Sequence, residues 1–359
     1  MSRSILIMAG GTGGHIFPAL AVADILRDQG WKVAWIGAPG SMEAELVPKH
    51  GYDMALVRFS GVRGKGLRRK LMLPINLSRA LWQSMTAIFR HRPDVVLGMG
   101  GYITFPGGVM AALLRRPLVI HEQNSIAGLS NKILARFAQK ILSGFPDVLP
   151  HAIWCGNPVR VDIASLPEPN VRYAEHIGRL NVLVVGGSLG AKVLNEIVPL
   201  ALALLPRVIQ PNVVHQTGKQ HLVEVTQSYQ KAGVMAEVIP FIDEMAKQYG
   251  NADLVICRAG ALTVAELAAA GVASILIPYP SAVDDHQTSN ARFLSERKAA
   301  ILTPQSEFNA EALAKILTEL LDIESGRDKL LTMACRAREV GRGDAALKVA
   351  RICGALVGS

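Results

Sequence analysis

The chain has 359 residues, half of them apolar and 19% charged, with 33 Gly and 19 Pro. At roughly 100–200 residues per domain this length gives two domains, each able to bury a core without disulfide or metal staples. A disordered, collagenous or coiled-coil protein is excluded by the composition, and the formal net charge of +9 comes from 38 basic against 29 acidic residues.

The first element in chain order is the apolar run at 5–9, a short buried strand. It is followed at once by Gly10-Gly11-Thr12-Gly13-Gly14-His15, a helical stretch at 18–26 and a second strand at 31–36. Strand, glycine turn, helix and strand form the unit of a parallel α/β sheet. Between Met54 and Pro93 the chain has no Asp or Glu, but it carries Arg58, Arg63, Lys65, Arg68, Arg69, Lys70, Arg79, Arg90 and Arg92. Without these nine the rest of the chain is neutral, so the excess calls for a local partner: a nucleic acid, an anionic membrane or a phosphorylated substrate, set against a merely solvated face.

The spacing predicts a helix over 74–92, with Pro74 in its first turn. Leu77, Leu81 and Ile88 make an apolar stripe suited to a sheet, and Ile75, Trp82 and Phe89 recur every seven residues beside it. So wide an apolar arc, flanked by Arg79, Arg90 and Arg92, suits a helix lying at a lipid interface, with an ordinary core helix as the alternative. Nucleic acid is disfavoured, because only 5% of residues are aromatic and no DNA- or RNA-binding motif occurs. The loop 61–70, with Gly61, Gly64 and Gly66, has the composition of a flap.

A strand at 94–97 leads into Gly98-Met99-Gly100-Gly101-Tyr102, and another strand follows at 117–121. The Pro-bearing stretch around Asn157-Pro158 and 166–170 reads as a linker. The same grammar then restarts: a strand at 182–185, the turn 186–191, a helix at 192–205, a strand at 254–257, Arg258-Ala259-Gly260, a helix at 262–270 and a strand at 274–278. Two Rossmann-like domains are the economical reading, with ligands at the carboxyl ends of the strands and both glycine-rich faces on one cleft. No apolar run approaches the roughly 18–20 residues of a membrane span, and no basic-then-apolar leader opens the sequence. Cys155, Cys257, Cys335 and Cys353 lack CxxC or metal-finger spacing, which is expected of reduced thiols in a cytosolic protein.

Glycine turns that open helices present N–H groups and a positive helix end to phosphate, so three of them favour a phosphate-bearing ligand. Nicotinamide and flavin dinucleotides fit poorly, because the second strand ends in Trp35-Ile36-Gly37-Ala38 without a ribose-binding acid, and no GxxxxGK[ST] occurs. His15 sits where a helix N-terminus keeps an imidazole neutral, which suits a general base; a histidine packed for structure is the alternative. Glu266, early in its helix, can accept both hydroxyls of a ribose or merely suit the helix dipole.

Gly10–His15, Gly98–Tyr102, His121-Glu122-Gln123-Asn124, Gly156-Asn157-Pro158-Val159-Arg160, the 186–191 turn, Arg258–Glu266 and Asp285-His286-Gln287 stand in an order that resembles the MurG family. These are bacterial transferases that move GlcNAc from UDP-GlcNAc to lipid I, making lipid II for peptidoglycan, and the resemblance runs the whole length of the chain. It implies the glycosyltransferase B fold, an α/β architecture of two Rossmann-like domains facing across a cleft. The acceptor and membrane-docking domain would be 1–160, rejoined by a terminal helix within 341–359, and the UDP-GlcNAc domain would be 161–340.

By the same resemblance Thr12, Gly13 and Gly14 would border the donor diphosphate and sugar, and Asn124 would touch the GlcNAc. Arg160 and Ser188 would hold phosphates, with the turn Ala261, Leu262, Thr263, continued by Val264 and Ala265, presenting N–H groups. Ile242 would meet the uracil through its backbone, Glu266 the ribose and Gln287 the sugar hydroxyls. His15 is the candidate base of a single displacement that inverts the donor linkage to β1–4. No metal or other cofactor is expected, since no DxD triplet occurs and Asp284-Asp285 are adjacent. Docking would use Arg68, Arg69, Lys70, Ile75, Arg79, Trp82 and Phe89, joined by Leu114, Arg115 and Arg116. The enzyme would then be peripheral on the cytoplasmic face of the inner membrane, with UDP-GlcNAc, lipid I, an anionic surface and other cell-wall synthesis proteins as partners, serving cell shape and division. A related lipid glycosyltransferase, a UDP-GlcNAc 2-epimerase and a non-catalytic nucleotide-binding module are the competing readings.

Overall fold

The computed structural model describes residues 3–59, 72–187 and 189–357. The chain divides into two compact units, Met1–Arg160 with Gly343–Ser359, and Val161–Arg342.

The first unit is built on a wholly parallel seven-stranded sheet in the order β3-β2-β1-β4-β5-β6-β7. Its strands are β1 (Ser4–Met8), β2 (Lys32–Gly37), β3 (Asp53–Leu56), β4 (Val95–Gly98), β5 (Leu118–Glu122), β6 (Lys140–Ser143) and β7 (Ile153–Trp154). The centre of the sheet is covered on both sides, which is why β1 and β4 read as unbroken apolar runs. Ile5, Ile7, Val95 and Leu97 face a core shared with Ile16, Leu20 and Ala23 of the helix Gly13–Asp28 and with Val349 and Cys353 of the terminal helix Ala345–Ala355. Leu6, Met8, Val96 and Ile120 face the opposite core, with Ala80, Ala87 and Ile88 of the helix Leu73–His91 and Ala111 of the helix Thr104–Leu113. Each such fully buried Leu or Ile contributes roughly 2–3 kcal/mol.

The second unit has a parallel six-stranded sheet in the order β10-β9-β8-β11-β12-β13. These strands are β8 (Asn181–Val185), β9 (Asn212–Gln216), β10 (Glu237–Ile239), β11 (Leu254–Cys257), β12 (Ala273–Leu276) and β13 (Ala300–Leu302). In both sheets the chain starts at the centre, winds outward, then returns to the other side of its first strand. That reversal opens a crevice at the carboxyl ends of β1 and β4, and likewise of β8 and β11, where ligands of doubly wound sheets sit.

Three expectations change. The first helix reaches back to Gly13, so His15 lies in its first turn and Pro18 inside it. A proline there removes only the bond to the Gly14 carbonyl, at the end of the helix where backbone partners are already few. The stretch expected to be a linker carries the short helices Val161–Ala164 and Pro169–Glu175. Pro169 suits the first helical position, and the buried Arg172 ties this segment to its unit by donating to the carbonyls of Tyr249, Ala270 and Gly271. Finally, Leu113 rather than Leu114 faces outward, because Leu114 packs against the core.

Candidate functional site

In the first unit the turns after β1, β4 and β5 converge, and glycine makes the approach possible. Gly101 lies at φ +84°, and a Cβ on it would stand 2.2 Å from the Gly10 carbonyl oxygen. Side chains pin each turn. Glu43, fully buried in the helix Met42–Lys49, accepts the Gly11 N–H on one carboxylate oxygen and the Ala38 N–H on the other, both at 3.1 Å. The Trp35 indole donates to the Ala9 carbonyl at 3.0 Å, and the Thr104 hydroxyl donates to the Gly100 carbonyl at 2.7 Å. A partly buried Tyr102 lies by Gly11, its phenol pKa raised by burial and then by the Glu43 charge.

His15 is presented over this floor. Its Nδ1 is 3.0 Å from the Gln123 side-chain oxygen. The Gln123 amide nitrogen donates to the Met99 carbonyl at 2.8 Å and lies 3.2 Å from His121 Nδ1, and His121 Nε2 donates to the Gly156 carbonyl at 2.9 Å. Next to it the buried Glu122 accepts the N–H groups of Asn124 and Gly128 at 3.0 Å each and the Asn131 amide at 2.8 Å. Glu122 thereby fixes the loop that carries Asn124.

Burial pushes the His121 pKa from 6.5 down to about 4, against smaller opposing effects of the Gly156 hydrogen bond and Glu122, and burial takes His215 in the second unit to about 3. Unfolding lets both histidines take up protons near 6.5, so between that pH and about 4 the unfolded chain binds more protons than the folded one. Stability is therefore expected to be flat above about pH 6.5 and to fall by roughly 1 kcal/mol per pH unit per histidine on acidification toward pH 4. Urea unfolding at stepped pH measures this, and equal stability at pH 7 and 4.5 would contradict it.

In the second unit the turn after β8 crosses the turn after β9. A Cβ on Gly190 would stand 1.8 Å from the Thr217 carbonyl oxygen, and one on Gly218 would stand 2.2 Å from that of Leu189. Asn195 donates to the Thr217 carbonyl at 3.1 Å and accepts from His215 Nε2 at 3.1 Å, while the Tyr229 hydroxyl donates to His215 Nδ1 at 2.9 Å. After β11 the helix Ala261–Ala270 begins, its hydrogen bonding opening with the Val264 N–H to the Gly260 carbonyl at 2.9 Å. The turn Ala261, Leu262, Thr263 thus forms a positive helix end. Val264 is fully buried, and its N–H is engaged by the Gly260 carbonyl. Glu266 is half-buried in the second helical turn and accepts from the Tyr249 hydroxyl at 3.2 Å. Arg258 is turned inward, donating to the carbonyls of Ile277 and Pro278 at 3.2 Å each and stacking on Tyr279. Gln287, in the helix His286–Ser295, accepts the Tyr279 N–H at 2.9 Å.

Thr12, Gly13, Gly14, His15 and Asn124 therefore meet at one sheet's carboxyl edge, with Arg160 ending the same unit. The Ala261–Glu266 stretch and Gln287 share the corresponding edge of the other sheet, with Ile242 on the segment after β10, its side chain buried. Ser188 lies outside the described residues, as do Arg63, Lys65, Arg68, Arg69, Lys70 and the flap expected at 61–70. On the helix Leu73–His91 the side chains of Ile75, Trp82 and Phe89 are 63%, 67% and 57% exposed, and Arg79 and Arg90 are exposed as well. No helix among the described residues is long and apolar enough to cross a membrane, and no group of three His, Cys, Asp or Glu among them could hold a metal ion.

Glu43, Glu122, His121, Gln123 and Tyr249 are positions to which the sequence alone attached no role. The four-residue run at 121–124 was the available signal, since polar side chains directly after a buried strand need partners.

Residues 5–143 match the glycosyltransferase family 28 N-terminal domain, and residues 181–346 match the glycosyltransferase family 28 C-terminal domain. A protein of Ralstonia nicotianae is 57% identical over 98% of this chain and 96% of its own. Its name is UDP-N-acetylglucosamine–N-acetylmuramyl-(pentapeptide) pyrophosphoryl-undecaprenol N-acetylglucosamine transferase. One of Cupriavidus metallidurans with the same name is 57% identical over 99% of both chains. The crystal structure of Acinetobacter baumannii MurG superimposes with a TM-score of 0.86 at 41% identity, covering 98% of this chain and 99% of that one. A putative UDP-N-acetylglucosamine 2-epimerase from Listeria monocytogenes matches at TM-score 0.66 and 15% identity over 97% and 95% of the two chains, a likeness of fold alone.

Proposed function

The chain belongs to glycosyltransferase family 28, and from that premise we propose that it moves GlcNAc from UDP-GlcNAc to the C4 hydroxyl of the MurNAc sugar of lipid I. The products are lipid II, with a β1–4 bond, for peptidoglycan synthesis, and UDP. One observation carries this reading: identity of 57% over nearly the full length of transferases named for that reaction. The two parallel sheets are those of the glycosyltransferase B fold.

In the mechanism His15 takes the proton of the acceptor hydroxyl as its oxygen bonds to the anomeric carbon, and the bond from that carbon to the diphosphate oxygen breaks on the opposite face. UDP departs with added negative charge. Arg160, Ser188 and the helix end at Ala261, Leu262 and Thr263 meet that charge with groups already oriented for it. Thr12, Gly13 and Gly14 border the donor diphosphate and sugar, Glu266 accepts the ribose hydroxyls, the Ile242 backbone meets the uracil, and Asn124 and Gln287 hold the GlcNAc. Ala265 lies on the same helix beside Glu266. No metal is called on for any step.

Incubating the protein with labelled UDP-GlcNAc, a short-tailed lipid I analogue and a chelator tests the reading. Label should pass into the lipid product. Consumption or epimerisation of UDP-GlcNAc with an unlabelled lipid would favour the epimerase class instead.

The first unit also docks the enzyme peripherally on the cytoplasmic face of the inner membrane, where its lipid substrate is held. Ile75, Trp82 and Phe89 recur at a spacing that places them on one face of an exposed helix with Arg79 and Arg90. Replacing Trp82 and Phe89 together by Ala is expected to weaken binding to anionic phospholipid vesicles by about tenfold or more, with transfer to a short-tailed acceptor kept. Unchanged co-sedimentation with the vesicles would count against this surface.

A further inference from the structure

We infer that Gln123 is a positioning residue that gives His15 its working tautomer, placing the proton on Nδ1 and the basic lone pair on Nε2. The inference rests on the reading of His15 as the base.

The hydrogen-bond logic runs from fixed acceptors inward. The carbonyl oxygens of Met99 and Gly156 can only accept. The Gly156 carbonyl, 2.9 Å from His121 Nε2, requires the proton of that ring on Nε2, so His121 Nδ1 is an acceptor. The Met99 carbonyl, 2.8 Å away, requires the nitrogen of the Gln123 amide on its side, and the second hydrogen of that nitrogen points to His121 Nδ1 at 3.2 Å. The Gln123 oxygen is then committed to His15, and at 3.0 Å it can only accept from Nδ1–H. His121 stays neutral in its buried position, so it does not compete by donating from Nδ1.

A second observation comes from the backbone. A Cβ on Gly100 would stand 2.6 Å from His15 Nδ1 and 2.7 Å from the Gln123 oxygen, so only glycine leaves room for this bond. The Gln123 backbone carbonyl is itself held by the Asn157 amide at 2.9 Å. An imidazole oriented through its other nitrogen is how acid–base histidines are generally set. Here a neutral carboxamide does it, orienting the ring without adding a negative charge beside it.

The test combines ¹⁵N-histidine NMR with kinetics, assigning the His15 signals by their absence in His15→Gln. In the wild type His15 should report the Nδ1–H tautomer, and in Gln123→Leu it should move toward Nε2–H. In that variant kcat should fall about tenfold or more, while KM for UDP-GlcNAc changes less than about twofold. Gln123→Glu keeps an oxygen for Nδ1–H but loses the donor to the Met99 carbonyl, so its His15 signal should stay nearer Nδ1–H than in Gln123→Leu. Thermal melting and UDP binding at wild-type values establish that a variant is folded. Should Gln123→Leu not fold, the wild-type tautomer still decides. An Nε2–H ring in the wild type, or a folded Gln123→Leu turning over at the wild-type rate, would overturn the inference while leaving the base reading intact. Full turnover in His15→Ala would remove the base reading itself, and this inference with it.

Discussion

His15→Ala is expected to lower kcat for GlcNAc transfer by about 10²–10⁴-fold, with KM for UDP-GlcNAc changed by less than about twofold. The size follows from losing a positioned proton acceptor. The selectivity follows because the imidazole is assigned no donor contact: Thr12, Gly13 and Gly14 beside it, and Glu266, Gln287 and the helix end at Ala261 in the second unit, keep theirs. The ring is held through Gln123, while the backbone turn beneath it is held separately by Glu43 and Trp35. Removing the imidazole therefore leaves that turn braced. A parallel rise in KM would mean that His15 binds donor rather than moving a proton. Steady-state kinetics at saturating lipid I analogue separates the two outcomes.

Gly101→Ala is expected to destabilise the first unit by more than about 4 kcal/mol and to abolish transfer. Two costs combine there. The residue sits at φ +84°, and its new Cβ would stand 2.2 Å from the Gly10 carbonyl oxygen, a backbone atom with no rotamer to escape into. Gly30 provides the control, since it lies at φ +82° with nothing within 4 Å of the added carbon. Gly30→Ala should therefore cost only about 1–2 kcal/mol of backbone strain. Urea unfolding of both variants measures the difference, and equal losses would mean that the crossing of the two turns carries no energetic weight.

The doubly wound architecture was legible because β1, β4, β8 and β11 are buried on both faces and read as short apolar runs, with glycine ending β4 and directly following β8. The strands β3, β6, β7, β9, β10 and β13 were not. β9 carries the buried His215 and Gln216, which Tyr229, Asn195 and the Pro240 carbonyl satisfy from distant segments. β7 is two residues long, below any periodicity. The helix Leu73–His91 showed itself through its seven-residue spacing, since its exposed and buried faces both carry large apolar side chains.

The candidate site was half legible in the same way. Glycine turns, His15 and Glu266 stand out as residue types in an unusual place. Glu43 does not, because in sequence it looks like one of two acids in the first turn of a capped helix. Its burial beneath the Gly11 turn is a tertiary fact. Arg258 shows the opposite case: a cation in a phosphate-favouring turn that the fold uses to pin the β12 loop.

In the proposed reaction GlcNAc is transferred by a single displacement at the anomeric carbon of the donor, with His15 as the base. The configuration of the new glycosidic bond tests it most directly. The α-linked donor should yield only β-linked product, read from the anomeric proton coupling of the disaccharide released from the lipid product. An α-linked disaccharide would contradict it, since one displacement from the opposite face of an α-linked donor gives only the β bond.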